Sequence, residues 1–544
     1  MALAPGPALA RIAATANLTD PAQTYLAARA AAMNGDHARS AALLAALANS
    51  QPGQPDLARK ALAEALGAGQ MDLALSLTQK MPPAKLSNEA RLLLAADALR
   101  HNHIDRAQAW ITAKADNGDL SFLAPLLTAW DAAQRGDADR ALATIDAIPV
   151  NSILGQLKSE ESALILLKFR RTAEAEPFAR RAIGSAGSRE DRLRLAFADG
   201  FLAAGDKARA LMMIEGMGSD AAVARQRVLA GKLSGQAIGT PSEAFSEALT
   251  AFSGDIVRLQ RAAPPIALVQ VARYADPRNS SATALLALIL AQQQRIAEAL
   301  AVLHTVPRDD ALAAQLHKIE ARILTDNHRF NEAYAIAASA AAAPGAGVSE
   351  FSLLGDVLQA MKRSNDAANA YTRAVAFAHA QGLKADLWPL LLLQANALEQ
   401  ANRWPEAKQA LHEALSIAPE EPVLLNFLGY AELERGEDVD SAEAMIRKAS
   451  ELAPDDASIT DSLGWAEFKR GKVAAALETL QRAAEKDPDQ AEIQEHLGDA
   501  LFKSGRRFEA RFAWGAALIT AEDDVAGRVK AKLASGLTTA NAAP

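Results

Sequence analysis

The residues able to do chemistry are few in this chain, and they stand apart from one another. His101 and His103 have the spacing of two metal ligands, but they flank Asn102 in what reads as a turn, where imidazoles are ordinarily solvated. No GxxxxGK[ST], HExxH or EF-hand spacing occurs. Gly345 and Gly347 have no strand-like run before them, so they punctuate the chain and do not form a dinucleotide fingerprint. The 65 Asp and Glu residues show no spacing that would pair two of them inside a cavity. Cysteine is absent, which removes thiolate nucleophiles, disulfides and cysteine-ligated zinc. The sequence therefore predicts no catalytic residue, no metal and no cofactor. Two aromatics stand out instead, each directly after a Leu-Gly pair: Tyr430 in Asn-Phe-Leu-Gly-Tyr and Trp465 in Asp-Ser-Leu-Gly-Trp. If exposed, rings flanked by amides and carboxylates are anchors for recognition. The alternative is that they pack between neighbouring helices.

The elements that hold them read as helices. Half of the 544 residues are apolar, only 5% are aromatic, and alanine dominates. Alanine favours helix and lets backbones approach closely, as thin layers of helix pairs require. Leu428-Gly429, Leu463-Gly464 and Leu497-Gly498 are each followed seven residues later by Gly436, Gly471 and Gly505. Alanines recur at Ala442, Ala476 and Ala510, and again at Ala449, Ala483 and Ala517, and Pro454 and Pro488 close two of the units. A small residue on a first helix permits a close crossing, a turn glycine ends that helix, and a proline ends the second.

This unit resembles the tetratricopeptide repeat, a helix–turn–helix of 34 residues. Units begin at Trp388, Pro422, Ala457 and Ala491, and upstream at Ser246, Ser280, Ala314 and Val348. Weaker ones begin at Pro21, Pro55, Asn88, Phe122, Gln156 and Asp191. The resemblance implies an all-α, right-handed superhelical solenoid of about fourteen repeats. The expected organisation is a flexible N-terminus over 1–20, six degenerate hairpins over 21–224, and an irregular linker or extra helix over 225–245. Four repeats follow over 246–381, then a short insertion over 382–387 and the four best-formed repeats over 388–524. Val525, Val529 and Leu533 share one helical face, which predicts a capping helix over 525–536 before a disordered tail over 537–544.

In tetratricopeptide arrays the first helices line the concave surface, and residues at positions two, five, nine, twelve and thirteen face ligands. Carried onto this chain, that implies a partner-binding set of Asn396, Asn426, Tyr430, Asp461, Trp465, Lys469, Glu495 and Asp499. A lysine–asparagine clamp for a C-terminal carboxylate is not expected, because Asp461, Glu495 and Asp499 stand at comparable positions. The segment from Trp388 to Asp524 holds 27 acidic and 14 basic residues, a net of −13 against −8 for the whole chain. The expected partner is thus a basic or amphipathic protein or peptide, with self-association also open. The net negative charge argues against nucleic acid and anionic membrane. The apolar run Ala282 to Ala291 is too short to span a bilayer.

The expected function is that of a non-enzymatic scaffold or adaptor. The segments Asn426 to Tyr430, Asp461 to Trp465, Glu495 to Asp499 and Gly505 to Leu518 are also similar to proteobacterial cell-envelope tetratricopeptide proteins. Some of these are adaptors for carboxyl-terminal processing proteases. That resemblance implies an adaptor of this kind, and a scaffold for an envelope or polysaccharide-secretion assembly reads the same way. The location implied is the periplasm or cell envelope if Met1 to Ala10 is the remnant of an export signal, and the cytoplasm otherwise.

Overall fold

The computed structural model describes residues 20–543 apart from 115, 117, 216, 218–220, 260–262, 308, 309 and 384–386. The expected flexible N-terminus therefore lies outside the described residues except for Asp20, as does half of the 382–387 insertion. Thirty α-helices and four short 3-10 turns occur among the described residues, with no strand. The fold is all-α, built from helical hairpins in sequence order. It divides into two compact units, 1–345 and 346–544.

In the second unit the hairpins are Val348–Ala360 with Ser364–Ala380, Leu387–Gln400 with Trp404–Ile417, and Pro422–Arg435 with Val439–Leu452. Ala457–Lys469 with Val473–Lys486 and Ala491–Lys503 with Arg507–Thr520 complete the stack, and Asp523–Ser535 caps it. The small residues make the crossings. A Cβ on Gly464 would stand 2.7 Å from Leu480 Cγ, and one on Gly429 would stand 2.8 Å from the Ala442 carbonyl oxygen. Gly436 turns the chain out of its helix at φ +68°, a conformation that favours glycine. On the cap, Val529 is fully buried, while Val525 and Leu533 pack with it around Trp514. Residues 537–543, expected to be disordered, instead fold back. Asn541 accepts from the Thr538 N–H at 2.7 Å, and Ala543 is buried.

The first unit begins with six hairpins whose first helices are Pro21–Met33, Pro55–Gly67, Asn88–Arg100, Ala124–Gln134, Lys158–Lys168 and Glu190–Ala203. The sequence frame then departs from the structure. Where a repeat is expected to start at Ser246, a helix already runs from Pro241 to Leu259, and Ile266–Ala275 follows it. This pair lies against first helices far upstream. Ile266–Ala275 packs on Pro55–Gly67 and Asn88–Arg100, and Pro241–Leu259 packs on Asn88–Arg100 and Ala124–Gln134. The Tyr274 hydroxyl donates to Asp97 at 2.8 Å, with the Arg100 guanidinium 4.2 Å over its ring.

Buried charges tie the same pair to the fifth and sixth hairpins. Arg189 bridges Glu160 and Glu247, and Arg192 bridges Glu247 and Asp276. The segment expected to be an irregular linker is tied down for the same reason. Asp199 is fully buried and accepts from the backbone N–H of Ser234 at 2.6 Å and of Gln236 at 3.0 Å. A buried carboxylate needs such donors, and the glycine-rich turn supplies them.

Candidate functional site

Three successive first helices of the second unit, Leu387–Gln400, Pro422–Arg435 and Ala457–Lys469, line an open groove of about 600 Å³, which Ala491–Lys503 and the cap helix close at one end. Its apolar side carries Leu392, Leu393, Val423 and Phe427, with Leu393 41% and Val423 46% exposed. Its polar side carries Asn396, Asn426, Asp461 and His496, and Arg528 comes from the cap. Side chains from adjacent repeats meet here because equivalent positions on stacked first helices face the same way.

Asp461 is 7% exposed, and its two oxygens are used differently. One is 2.8 Å from His496 Nδ1. Among the described residues the other has no partner, and neither does the buried Oδ1 of Asn426 on the helix before it. Burial works against a charge on His496, but the Asp461 carboxylate, aided by Asp499 and Glu495, outweighs it and holds the imidazole pKa above its ordinary value. The groove thus contains a histidine–carboxylate pair and, among the described residues, two acceptor oxygens without a donor.

The eight sequence-derived positions fall into three groups. Asn396, Asn426, Tyr430 and Asp461 line the groove, with Asn396 exposed and Tyr430 half-buried. Burial, with the carboxylates of Glu434 and Asp461 nearby, pushes the Tyr430 phenol pKa well above its usual value. Lys469 is exposed at the side, 3.4 Å from Glu434. Trp465, Glu495 and Asp499 are not presented to a ligand.

Trp465 is 1% exposed, sandwiched between Phe468 at 4.9 Å and His496 at 4.1 Å, and its Nε1 donates to Glu434 at 3.2 Å. Its ring fills the gap between neighbouring first helices. Glu495 and Asp499 are fully buried and share Lys532 of the cap at 2.7 Å each, and Arg528 adds a 2.7 Å bond to Glu495. Burial opposes the Glu495 charge, yet these cations hold its pKa below the usual range, whereas at Asp499 burial prevails and raises it.

Residues absent from the sequence-derived set include Leu393, Phe427, Ser462 and His496, which lie at the sixth position of successive units. The available signal was their spacing. Each stands three residues before a ninth-position residue and so shares its helical face. Elsewhere, His101 ends its helix with Nδ1 2.8 Å from the Asp97 carbonyl, and His103 is exposed.

A stack of helical hairpins with an open groove along its first helices is the architecture of a repeat-type interaction protein. Residues 392–457 match the family model described as "Tetratricopeptide repeat", and residues 464–505 match one described as "TPR repeat". Residues 392–457 and 464–505 thus carry tetratricopeptide repeats, and repeats of this kind generally mediate protein–protein interaction.

Among solved structures, the chain is similar to Cut9 with Hcn1 in a hetero-tetramer of APC/C, at 15% identity and TM-score 0.38, covering 97% of this chain and 98% of that one. It is also similar to yeast Tom70, at 12% identity and TM-score 0.37, covering 76% and 95%. A tetratricopeptide repeat protein from Parabacteroides merdae matches at 14% identity and TM-score 0.36, covering 53% and 97%. No curated protein matches. The protease-adaptor resemblance has no counterpart in these matches. Among the described residues, no helix is long and apolar enough to cross a membrane.

Proposed function

We propose that the 346–544 unit is a docking scaffold whose groove takes one amphipathic segment of a partner protein. Apolar side chains of that segment lie over Leu392, Leu393, Val423 and Phe427. A single donor, the head of a lysine or arginine, reaches Asn426 and Asp461. The observation that carries this reading is an open groove in which exposed Leu393 and Val423 flank Asn426 and Asp461, each with one buried side-chain oxygen that has no partner among the described residues. Leaving a buried acceptor unpaired costs about 1–3 kcal/mol, so a partner that supplies the donor is favoured over one that does not by roughly tenfold. A polybasic tract is not what the groove fits, because Glu495 and Asp499 already have cations and His496 already occupies one oxygen of Asp461.

The test is titration of the full chain with amphipathic peptides that differ at one position, carrying lysine, glutamine or leucine there. The lysine peptide is expected to bind about tenfold more tightly than the leucine peptide, and Asp461→Asn is expected to erase most of that preference. Leu393→Glu abolishes binding of all three. Equal affinity for the lysine and leucine peptides, unmoved by Asp461→Asn, sinks the proposal.

A further inference from the structure

The last repeat carries an apolar feature on its outer side that the groove does not use. On helix Arg507–Thr520, Phe508 is 73%, Phe512 66% and Ile519 83% exposed, three of the most exposed large apolar side chains described. With Gly515 they occupy i, i+4, i+7 and i+11, a single stripe along the helix. The Phe508 and Phe512 rings meet edge to face at 4.9 Å, so the stripe is already ordered. Opposite it, Ala510, Ala513, Trp514 and Ala517 make the buried face. The stripe is therefore surplus to the packing of its own repeat.

Gly515 is the second unusual feature. Glycine is a poor helix former, and it sits here well inside a helix. A Cβ at Gly515 would meet nothing within 4 Å, unlike at Gly429 and Gly464, where the crossing helix forbids one. Nothing among the described residues requires a glycine there. A shallow seat beside an exposed phenylalanine is what a second helix would require.

The stripe is also symmetric. Phe512 and Gly515, and Phe508 and Ile519, are placed evenly about the same midpoint, between Ala513 and Trp514. An antiparallel copy of the helix on a two-fold axis there sets each Phe512 on the partner's Gly515 and each Phe508 against the partner's Ile519. Charge follows the same symmetry. Exposed Lys503 and Arg507 lie at one end of the stripe, exposed Glu522 and Asp524 just beyond the other. In an antiparallel pair each basic end meets an acidic end, whereas a parallel pair sets like charges together.

We propose that the outer face of helix Arg507–Thr520 is a self-association surface, through which two copies of the chain pair antiparallel. The three side chains present on the order of 400 Å² of apolar surface per copy. Two copies with the flanks of the helices reach the low end of specific interfaces, about 1,000 Å². An interface at the low end of this range is that of a reversible dimer.

Sedimentation equilibrium of the full chain tests this. A monomer–dimer equilibrium is expected, with Phe512→Glu and Gly515→Leu each weakening it at least tenfold while the circular dichroism spectrum stays unchanged. Because Phe512 is exposed and a Cβ at Gly515 meets nothing within 4 Å, both variants are expected to fold. Charge provides an independent readout. Lys503→Glu and Asp524→Lys each weaken the dimer, and the two combined restore it. A chain that is monomeric throughout the accessible concentration range overturns the proposal, as does a dimer indifferent to Phe512→Glu. A monomer that binds anionic lipid vesicles through the stripe overturns it equally, because the occupant is then a lipid surface.

Discussion

Truncation of Trp465 to alanine separates a packing residue from a recognition residue more sharply than any other change in this unit. The side chain is 1% exposed and its ring is covered on both faces, by Phe468 and by His496. Truncating a fully buried tryptophan costs about 3–5 kcal/mol, a range that already contains its ring contacts. The lost Nε1 bond adds little, because Glu434 keeps Lys469 at 3.4 Å. Taking about 4 kcal/mol, and about 2–4 °C per kcal/mol for a unit of this size, the melting transition falls by roughly 8–16 °C. The drop belongs to the transition of the 346–544 unit, since solenoid repeats couple to their neighbours. Thermal and urea unfolding followed by far-UV circular dichroism measure it, and Trp465→Phe, which keeps a ring in the sandwich, recovers most of the loss. If Trp465→Ala left the melting temperature within about 2 °C while groove-peptide affinity fell more than tenfold, the indole would be a ligand anchor and the burial argument would be wrong.

Three further outcomes are expected. His496 has its pKa raised in the folded state, so its contribution is complete below the unfolded imidazole value of about 6.5 and is lost as pH rises through the higher folded value. Urea midpoints of the 346–544 transition should therefore fall between neutral and alkaline pH, and His496→Gln should flatten that dependence. Lys532→Met strands the buried Asp499 and halves the cations on Glu495, a loss of about 3–5 kcal/mol by chemical denaturation that adding Asp499→Asn partly reverses. Limited proteolysis should spare residues 234–238 in the natural chain, where Ser234, Gln236 and Ile238 are buried, and Asp199→Ala should make this segment an early cut.

The parts of the structure legible in the sequence are those a single hairpin determines. Leu-Gly at a helix crossing, a glycine seven residues on and a proline past the second helix all act within one repeat. Accordingly the helices beginning at Val348, Pro422, Ala457 and Ala491 start where the spacing places them. What lies between repeats was much less legible. Tyr430 and Trp465 occupy the same position in consecutive units, yet one stays half-buried at the groove and the other is sealed, because the next repeat offers His496 to stack on Trp465. Glu495 and Asp499 read as groove acids until Lys532, more than thirty residues later, brings its ammonium to both. The Pro241–Leu259 and Ile266–Ala275 pair gave no periodic sign of its destination, since the first helices it packs against lie more than a hundred residues upstream.

That long-range contact changes how the first unit responds to a pulling force. In a stack joined only neighbour to neighbour, each hairpin can peel away by itself, and an extension trace shows a succession of small, similar steps. The bond from Tyr274 to Asp97 instead clasps an early hairpin to a late one, and the ion pairs at Glu247 tie the same late pair to the hairpin just before it. The loop they close must be sheared open before the helices inside it can lengthen. The 1–345 unit therefore stores its resistance in one clasp that yields at once, whereas the hairpins of the 346–544 unit give way in turn.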